Sequence, residues 1–152
     1  KPSQHGLESA EFLVSTNPGQ SPQALNKIAS GGELSRISLA IQVITAQTTH
    51  TPILVFDEVD VGIGGGVAKV VGELLRELGE KTQIFCVTHQ AQVASQGHNH
   101  FYVSKSTGSD STQTSIVELG KKEIIREVAR MLGGDDFTDE SLAHAQQMVA
   151  SS

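Results

Sequence analysis

The sequence predicts an α/β domain in which a mostly parallel sheet is flanked by helices and is followed by a hairpin and two C-terminal helices. The apolar run at residues 53–56 is too short for a helix and indicates a strand buried on both faces. A second continuous apolar run lies at 83–87, and apolar residues recur at helical spacing between the two runs. Strand, helix and strand in this order form a βαβ unit, whose strands should lie parallel.

The segments before this unit predict one strand, one loop and one long helix. Residues 10–16 have strand character, and the polar segment after them carries two prolines, as turn-rich loops do. A series of apolar positions at helical spacing begins near Glu33, so we expect a helix from about residue 31 to residue 48.

The segments after the βαβ unit predict a hairpin and two helices. Two strand-like runs, 99–106 and 112–120, flank a polar loop, which favours an antiparallel hairpin. Residues 121–134 form an amphipathic pattern that ends at two consecutive glycines, and residues 139–150 form another such pattern.

The composition is that of one globular domain over residues 1–152. Apolar residues make up 38% of the sequence and no apolar run has the length of a membrane span, so we expect no membrane partner. A single cysteine allows no disulfide framework and no segment resembles a signal peptide, so we expect a cytoplasmic protein. A formal net charge of -6 argues against a surface that coats nucleic acid. The one cysteine, Cys86, lies in an apolar run and is expected to be a buried, reduced thiol.

Polar residues follow both predicted strands of the βαβ unit. Asp57 and Glu58 come after the first strand, and Thr88 and His89 come after the second. Because parallel strands end at the same edge of a sheet, these side chains are expected to meet where ligands bind. An aspartate there can hold Mg²⁺, and the next carboxylate can orient a water or accept its proton. The alternative is that the acids begin a solvated loop and that His89 is a capping or surface residue.

The segment Ser30-Gly31-Gly32-Glu33 stands where the long helix is predicted to begin. Ser30 and Glu33 fit a capping box, in which each side chain satisfies a backbone N–H of the first turn, and this role needs no ligand. A capping box does not require two glycines, however. Glycines leave the N–H groups of a helix N-terminus open to approach, and the helix dipole favours phosphate there. The segment therefore also fits a phosphate contact.

Three motifs follow one another along the chain: ASGGELSR at 29–36, ILVFDEVD at 53–60 and CVTHQAQVA at 86–94. Together they resemble the signature motif, the Walker B motif with its D-loop, and the switch histidine of the ABC-type ATPase superfamily. Transporter members usually carry glutamine where this chain has Glu33, and they have a different D-loop. The form DEVDVGIGGG, with THQAQVAS and STNPGQ, is similar to the RecN family of SMC-like DNA repair proteins, and the similarity covers nearly the whole chain.

The resemblance implies a role for each matching residue. Asp57 would be associated with Mg²⁺, Glu58 would polarise the hydrolytic water, and His89 would contact the γ-phosphate region. Ser30 and Gly32 would touch the γ-phosphate of ATP held by the opposite subunit. The residues implied to bind nucleotide are Ser30, Gly31, Gly32, Glu33 and Asp60, the last in a D-loop that crosses the dimer interface. Gly62, Gly64, Gly65 and Gly66 match the family's extension of that loop, and a flexible turn explains them equally well.

The resemblance also implies a function, which is ATP binding and hydrolysis with ATP and Mg²⁺ as cofactors. Two heads would dimerise around ATP, in the service of DNA double-strand-break repair. The implied partners are the protein's own N-terminal ATPase lobe, a second head, and DNA reached through the full-length protein at the nucleoid. The alternatives are the lobe of another SMC-like or transporter ATPase, and a non-catalytic interaction module in which the glycine turn is a plain cap.

The phosphate-cradling loop G-x-x-x-x-G-K-[ST] does not occur in this sequence. In the family that the chain resembles, this loop lies in an N-terminal lobe, and a long coiled coil separates the two lobes. The chain also begins with Lys1 rather than with Met. We therefore expect residues 1–152 to form the C-terminal lobe of a split head, with little ATP binding or hydrolysis when alone.

Three further clusters favour structural roles. The basic stripe at 122, 126 and 130 is spaced to be neutralised by two glutamates. His98 and His100 alternate as a metal pair on a strand would, but a third ligand is missing. The acids at 135–140 lack calcium-loop spacing and are expected near the start of the last helix. The glutamate pairs expected in the stripe are Glu123 with Arg126 and Glu127 with Arg130.

Overall fold

The computed structural model describes residues 4, 6–8, 10–15, 19–27, 31–48, 51–57, 60–107 and 111–151. Strands and helices alternate at the centre of the chain, whereas at its end two strands are followed by two helices. In chain order they are β1 (Leu13–Val14), β2 (Gln23–Ala24), a 3-10 turn (Leu25–Lys27), α1 (Gly31–Thr48), β3 (Ile53–Asp57), α2 (Gly65–Gly79), β4 (Gln83–Val87), α3 (Ala91–Ala94), β5 (Phe101–Thr107), β6 (Thr112–Glu118), α4 (Lys121–Gly133) and α5 (Asp139–Ala150).

The central βαβ unit is confirmed. Strands β3 and β4 are parallel neighbours in a register that runs from Ile53 opposite Gln83 to Asp57 opposite Val87. The other two sheets described, β1 with β2 and β5 with β6, are antiparallel pairs. The expected mostly parallel sheet is therefore limited to one strand pair, because short loops connect the strands of the other pairs and only antiparallel strands can be joined in that way.

The first hydrophobic core lies between one face of the β3–β4 sheet and the helices α1 and α2. The helices contribute buried side chains at helical spacing, and the strands contribute every second residue. Val93 of α3 also belongs to this core. Its buried members are Leu39, Val43, Ala46, Phe56, Ile63, Ala68, Val71, Leu75, Leu78 and Val93, with Leu54, Ile84 and Cys86 packed against them.

The expectation that the strand at 53–56 is buried on both faces is wrong for this chain. Val55 is 68% exposed and Val87 is 57% exposed, and Ile53 and Phe85 on the same face of the sheet are also exposed. The helices of the described residues cover one face only, so alternate side chains of each strand point away from the core. We call these four side chains the uncovered apolar face.

A second hydrophobic core joins the two C-terminal helices. Val128, Ala129 and Ala145 are fully buried between α4 and α5. Ala91 of α3 is buried in the same core. The short helix α3, which the sequence pattern did not predict, thus connects both cores, because Ala91 packs on one and Val93 on the other.

The predicted ends of the last two helices are confirmed. Helix α4 is followed by Gly134 with φ 82°, a left-handed conformation that glycine adopts without strain. Thr138 caps α5 by accepting a hydrogen bond from the Ser141 N–H at 3.3 Å. Within the described residues, no helix has both the length and the apolar character that crossing a membrane requires.

Gly72 provides a test of the packing of α2 against α3. A Cβ atom at Gly72 would stand 2.9 Å from the Gln92 carbonyl oxygen and 3.2 Å from Val93 Cα, and backbone atoms cannot move aside cheaply. We expect Gly72→Ala to lower the free energy of unfolding by about 1–3 kcal/mol, measured by urea denaturation. The control is Gly66→Ala, where a Cβ atom meets nothing within 4 Å. Equal stability of the two variants would contradict this packing.

Candidate functional site

The carboxyl ends of β3 and β4 lie side by side. Asp57, the last residue of β3, is exposed and stands opposite Val87, the last residue of β4. Thr88 and His89 follow directly in the chain, so the acid of one strand and the histidine of the next are brought to the same sheet edge. Parallel pairing in this register therefore brings Asp57 and His89 to one edge of the sheet, as the sequence predicted.

Two of the predicted site residues, Ser30 and Glu58, lie outside the described residues. Helix α1 begins at Gly31, so the two glycines occupy its first turn, as the sequence pattern indicated. Glu33 is the acidic residue of that turn and is half-buried. The roles of Ser30, Gly31, Gly32, Glu33 and Glu58 stay predictions.

Asp60 is the best-connected side chain of the site. It is fully buried, and its Oδ2 accepts hydrogen bonds from the Thr88 hydroxyl, from the His89 N–H at 3.0 Å and from the Gln90 N–H at 2.9 Å. A carboxylate that accepts hydrogen bonds from several donors is stabilised by them, even when it is buried. In this conformation Asp60 joins the loop after β3 to the turn after β4 and presents no carboxylate oxygen to solvent.

Gln90 makes the second connection between these loops and was missed by the sequence reasoning. Its Nε2 donates to the Ile63 carbonyl at 2.7 Å and to the Asp60 carbonyl at 3.1 Å. The signal was present in the motif, because a glutamine directly after the histidine can reach back to a neighbouring loop. Two side chains, one from each loop, therefore hold the same pair of loops together.

His89 lies at the surface beside this network. Its side chain is 65% exposed, and its Nδ1 lies 3.2 Å from Oδ1 of Asp60. That oxygen is buried and makes no hydrogen bond within the described residues, so the ring stands at bonding distance without the matching alignment. The exposed part of the ring is available to a ligand at the sheet edge.

Cys86 lies beneath the site, in the middle of β4. Burial and, to a smaller extent, the nearby Asp60 carboxylate raise the pKa of its thiol to about 11. Both causes disfavour the thiolate, which is the reactive form of cysteine. The sequence predicted a buried, reduced thiol; the side chain is partly buried, and its redox state stays a prediction.

The glycines after Asp60 have separate structural reasons. Gly62 has φ 75°, which places it in the left-handed region that a tight turn requires and glycine adopts freely. Gly64 precedes α2 as its N-cap, and Gly65 and Gly66 form the first turn of that helix. These positions account for a turn before the helix, and a functional role of the glycine-rich extension stays a prediction.

The other predicted clusters are mostly engaged in local contacts. Of the two expected glutamate pairs of α4, Arg130 does bind Glu127, at 2.7 and 2.8 Å, whereas Glu123 instead accepts a bond from the Gly120 N–H at 2.8 Å. His98 binds Glu80 at 3.1 Å, and both His98 and His100 precede β5, which corrects their placement on a strand. Burial lowers the pKa of His100. No group of three or more metal-ligating side chains occurs among the described residues.

Comparison with known sequences finds relatives that carry the same name. The chain is 56% identical over 144 residues to "DNA repair protein RecN" of Vibrio cholerae, covering 95% of the chain and 26% of the relative. It is 37% identical over 146 residues to the protein of the same name from Bacillus subtilis, covering 96% of the chain and 25% of the relative. The chain thus spans about a quarter of the length of these relatives. No protein-family model matches it.

Comparison with solved structures finds SMC head domains. A structure from work on the ATP-driven dimerization and DNA-stimulated activation of SMC ATPases superposes with a TM-score of 0.59 at 17% identity, over 79% of each chain. The SMC head domain from Thermotoga maritima gives a TM-score of 0.52 at 28% identity, over 68% of this chain and 37% of that one. The fold is therefore that of a part of an SMC-type ATPase head.

The environment of Cys86 can be tested by alkylation, since it is the one cysteine of the chain. A shift of the thiol pKa from 9.0 to about 11 lowers the thiolate fraction at pH 8 by about 100-fold. We expect iodoacetamide to react with the folded chain more slowly than with the urea-unfolded chain by about that factor, followed by mass spectrometry. Similar rates in the two states would show that Cys86 is not in this environment.

Proposed function

The chain belongs to the RecN family over the quarter of the length that it shares with its relatives, and on that premise we propose that it is the C-terminal lobe of a split ABC-type ATPase head. The head binds and hydrolyses ATP and acts in DNA double-strand-break repair. The observation that carries this proposal is the placement of Asp57 and His89 on adjacent parallel strand ends. An acid and a histidine at one sheet edge suit a site for a metal-bound nucleotide.

Asp57 suits the position of a Mg²⁺ ligand. Its carboxylate is exposed at the end of β3, and carboxylate oxygen is the donor that this hard cation prefers. Bound Mg²⁺ would supply positive charge to the phosphates of ATP. Glu58, the next residue, would orient the attacking water and accept its proton, while the exposed ring of His89 would contact the γ-phosphate.

The start of α1 suits a contact with a phosphate held elsewhere. Gly31 and Gly32 form its first turn, where N–H groups lack helical partners and the helix dipole is positive. Ser30 would add a hydroxyl donor, and Glu33 lies in the same first turn. Asp60 is fully buried, so it would act through the loop that it holds rather than by touching the nucleotide. The ATP that this turn contacts would be held by a second head, and the two heads would form a homodimer around it.

The uncovered apolar face suits the protein's own N-terminal lobe. Exposed apolar side chains on one face of a two-stranded sheet are costly in water, and a lobe that packs on this face would bury them. Relatives about four times as long as the chain leave ample length for such a lobe, which would carry the phosphate-cradling loop. DNA would be reached through the full-length protein, in keeping with the acidic net charge of -6 here.

The central test is Glu58→Gln in the full-length protein. Glutamine keeps the size of the side chain but cannot accept a proton, so we expect ATP turnover to fall by at least about 100-fold and the ATP-bound dimer to persist. The control is Glu77→Gln on the exposed side of α2, which should leave turnover unchanged. Unchanged turnover with Glu58→Gln would refute the catalytic assignment.

A second prediction concerns the chain of 152 residues by itself. Without a phosphate-cradling loop, we expect it neither to bind ATP tightly nor to hydrolyse it, as judged by calorimetry and by phosphate release. Addition of the separately produced N-terminal lobe should restore turnover. Robust hydrolysis by the isolated chain would contradict the split-head proposal.

A further inference from the structure

The two oxygens of the Asp60 carboxylate have different surroundings. Oδ2 accepts three hydrogen bonds from consecutive residues, Thr88, His89 and Gln90. Oδ1 is buried and makes no hydrogen bond within the described residues. An unpaired buried carboxylate oxygen is unfavourable, so a donor close to it gains more from bonding than a donor at the surface does.

The ring of His89 offers a donor close to that oxygen. Nδ1 lies 3.2 Å from Oδ1, which is a hydrogen-bond distance, and only the alignment of the N–H is unmet. The backbone of His89 is already held by Oδ2 at 3.0 Å. One carboxylate therefore binds the main chain of His89 and lies within hydrogen-bond distance of the ring of the same residue.

The side chain of Gln90 fixes the loop that carries the Asp60 carboxylate. Gln90 Nε2 donates to the carbonyls of Asp60 and Ile63, so the loop that carries Asp60 cannot move away from the histidine without breaking these bonds. Asp60 also has no exposed surface through which water could replace its donors. The loop at 60–63 and the turn at 88–90 behave as one unit.

We propose that Asp60 is a positioning residue for His89, holding the imidazole as the Nδ1–H tautomer with Nε2 facing the nucleotide. The proposal rests on the function proposed above and deepens it. With Nδ1–H committed to Asp60, the lone pair of Nε2 is the ring acceptor left at the sheet edge, where it can accept a hydrogen bond from the attacking water. A phosphate oxygen, which is also an acceptor, bonds Nε2 only when that atom carries a proton.

The first test reads the tautomer directly. In the full-length protein with ¹⁵N-labelled histidine and no nucleotide, correlation spectra at a pH where histidines are neutral distinguish Nδ1–H from Nε2–H, and His89→Gln assigns the signal. We expect the Nδ1–H form. Observation of the Nε2–H form in the unmodified protein would overturn the proposal, whatever any variant does.

The second test uses Asp60→Asn, which preserves size. The asparagine oxygen stays with the three donors of the turn, so its NH₂ group faces Nδ1 and forces the ring into the Nε2–H tautomer. We expect the reversed tautomer and a kcat for ATP hydrolysis lowered by about 10- to 100-fold, with KM changed by less than about threefold. Asp136→Asn in the exposed loop before α5 is the matched control and should change neither quantity.

Two outcomes of the second test would overturn the proposal. A reversed tautomer with unchanged kcat would mean that the orientation of the ring is irrelevant, and a lowered kcat with an unchanged tautomer would mean that Asp60 acts only on structure. If Asp60→Asn does not fold, the tautomer in the unmodified protein still decides. Failure of the proposed function is distinguishable, because it appears as normal turnover in Glu58→Gln and leaves the nucleotide-free spectra unaffected.

Discussion

The parallel pairing of β3 with β4 is the constraint on which the candidate site depends. The register that sets Asp57 opposite Val87 delivers the acid and His89 to one edge. A slip of one residue would turn every side chain of a strand to the opposite face and would remove Phe56 from the core. The buried faces of α1 and α2 resist that slip, so the geometry of a polar site is maintained by apolar packing beneath it.

The same pairing explains why the sheet is complete on one side only. Phe56 and its neighbours in the first core are covered by helices, whereas Val55 and Val87 are exposed on the opposite face. The near-continuous apolar composition of β3 is typical of a strand covered on both faces. The composition of β3 thus predicts cover on both faces, whereas the described residues cover only one. A second layer of protein on the exposed face would give the strand the surroundings that its composition predicts. The apolar composition of β3 therefore indicates that the face left open by α1 and α2 is a packing surface.

Much of the fold could be predicted because it depends on local patterns. The hairpin, the helix that ends at Gly134 and the long helix from Gly31 follow from periodicity and from turn residues, and all are observed. The short helix α3 was missed because four residues are too few for a helical period to appear. The first strand was predicted too long: among the described residues 10–15 only Leu13 and Val14 are in the strand, because the neighbouring strand β2 is also only two residues long.

The site was less predictable than the fold, and Asp60 shows why. The motif placed Asp60 in a loop next to Asp57, and three acids within four residues suggest one solvated cluster. The structure separates them, because Asp57 is exposed while Asp60 is buried beneath the turn at 88–90. What decides the difference is the supply of donors: the turn offers one hydroxyl and two N–H groups that have no other partner in a sheet or a long helix. A buried carboxylate needs such donors, and they come from residues about thirty positions away, which no local pattern in the sequence can reveal.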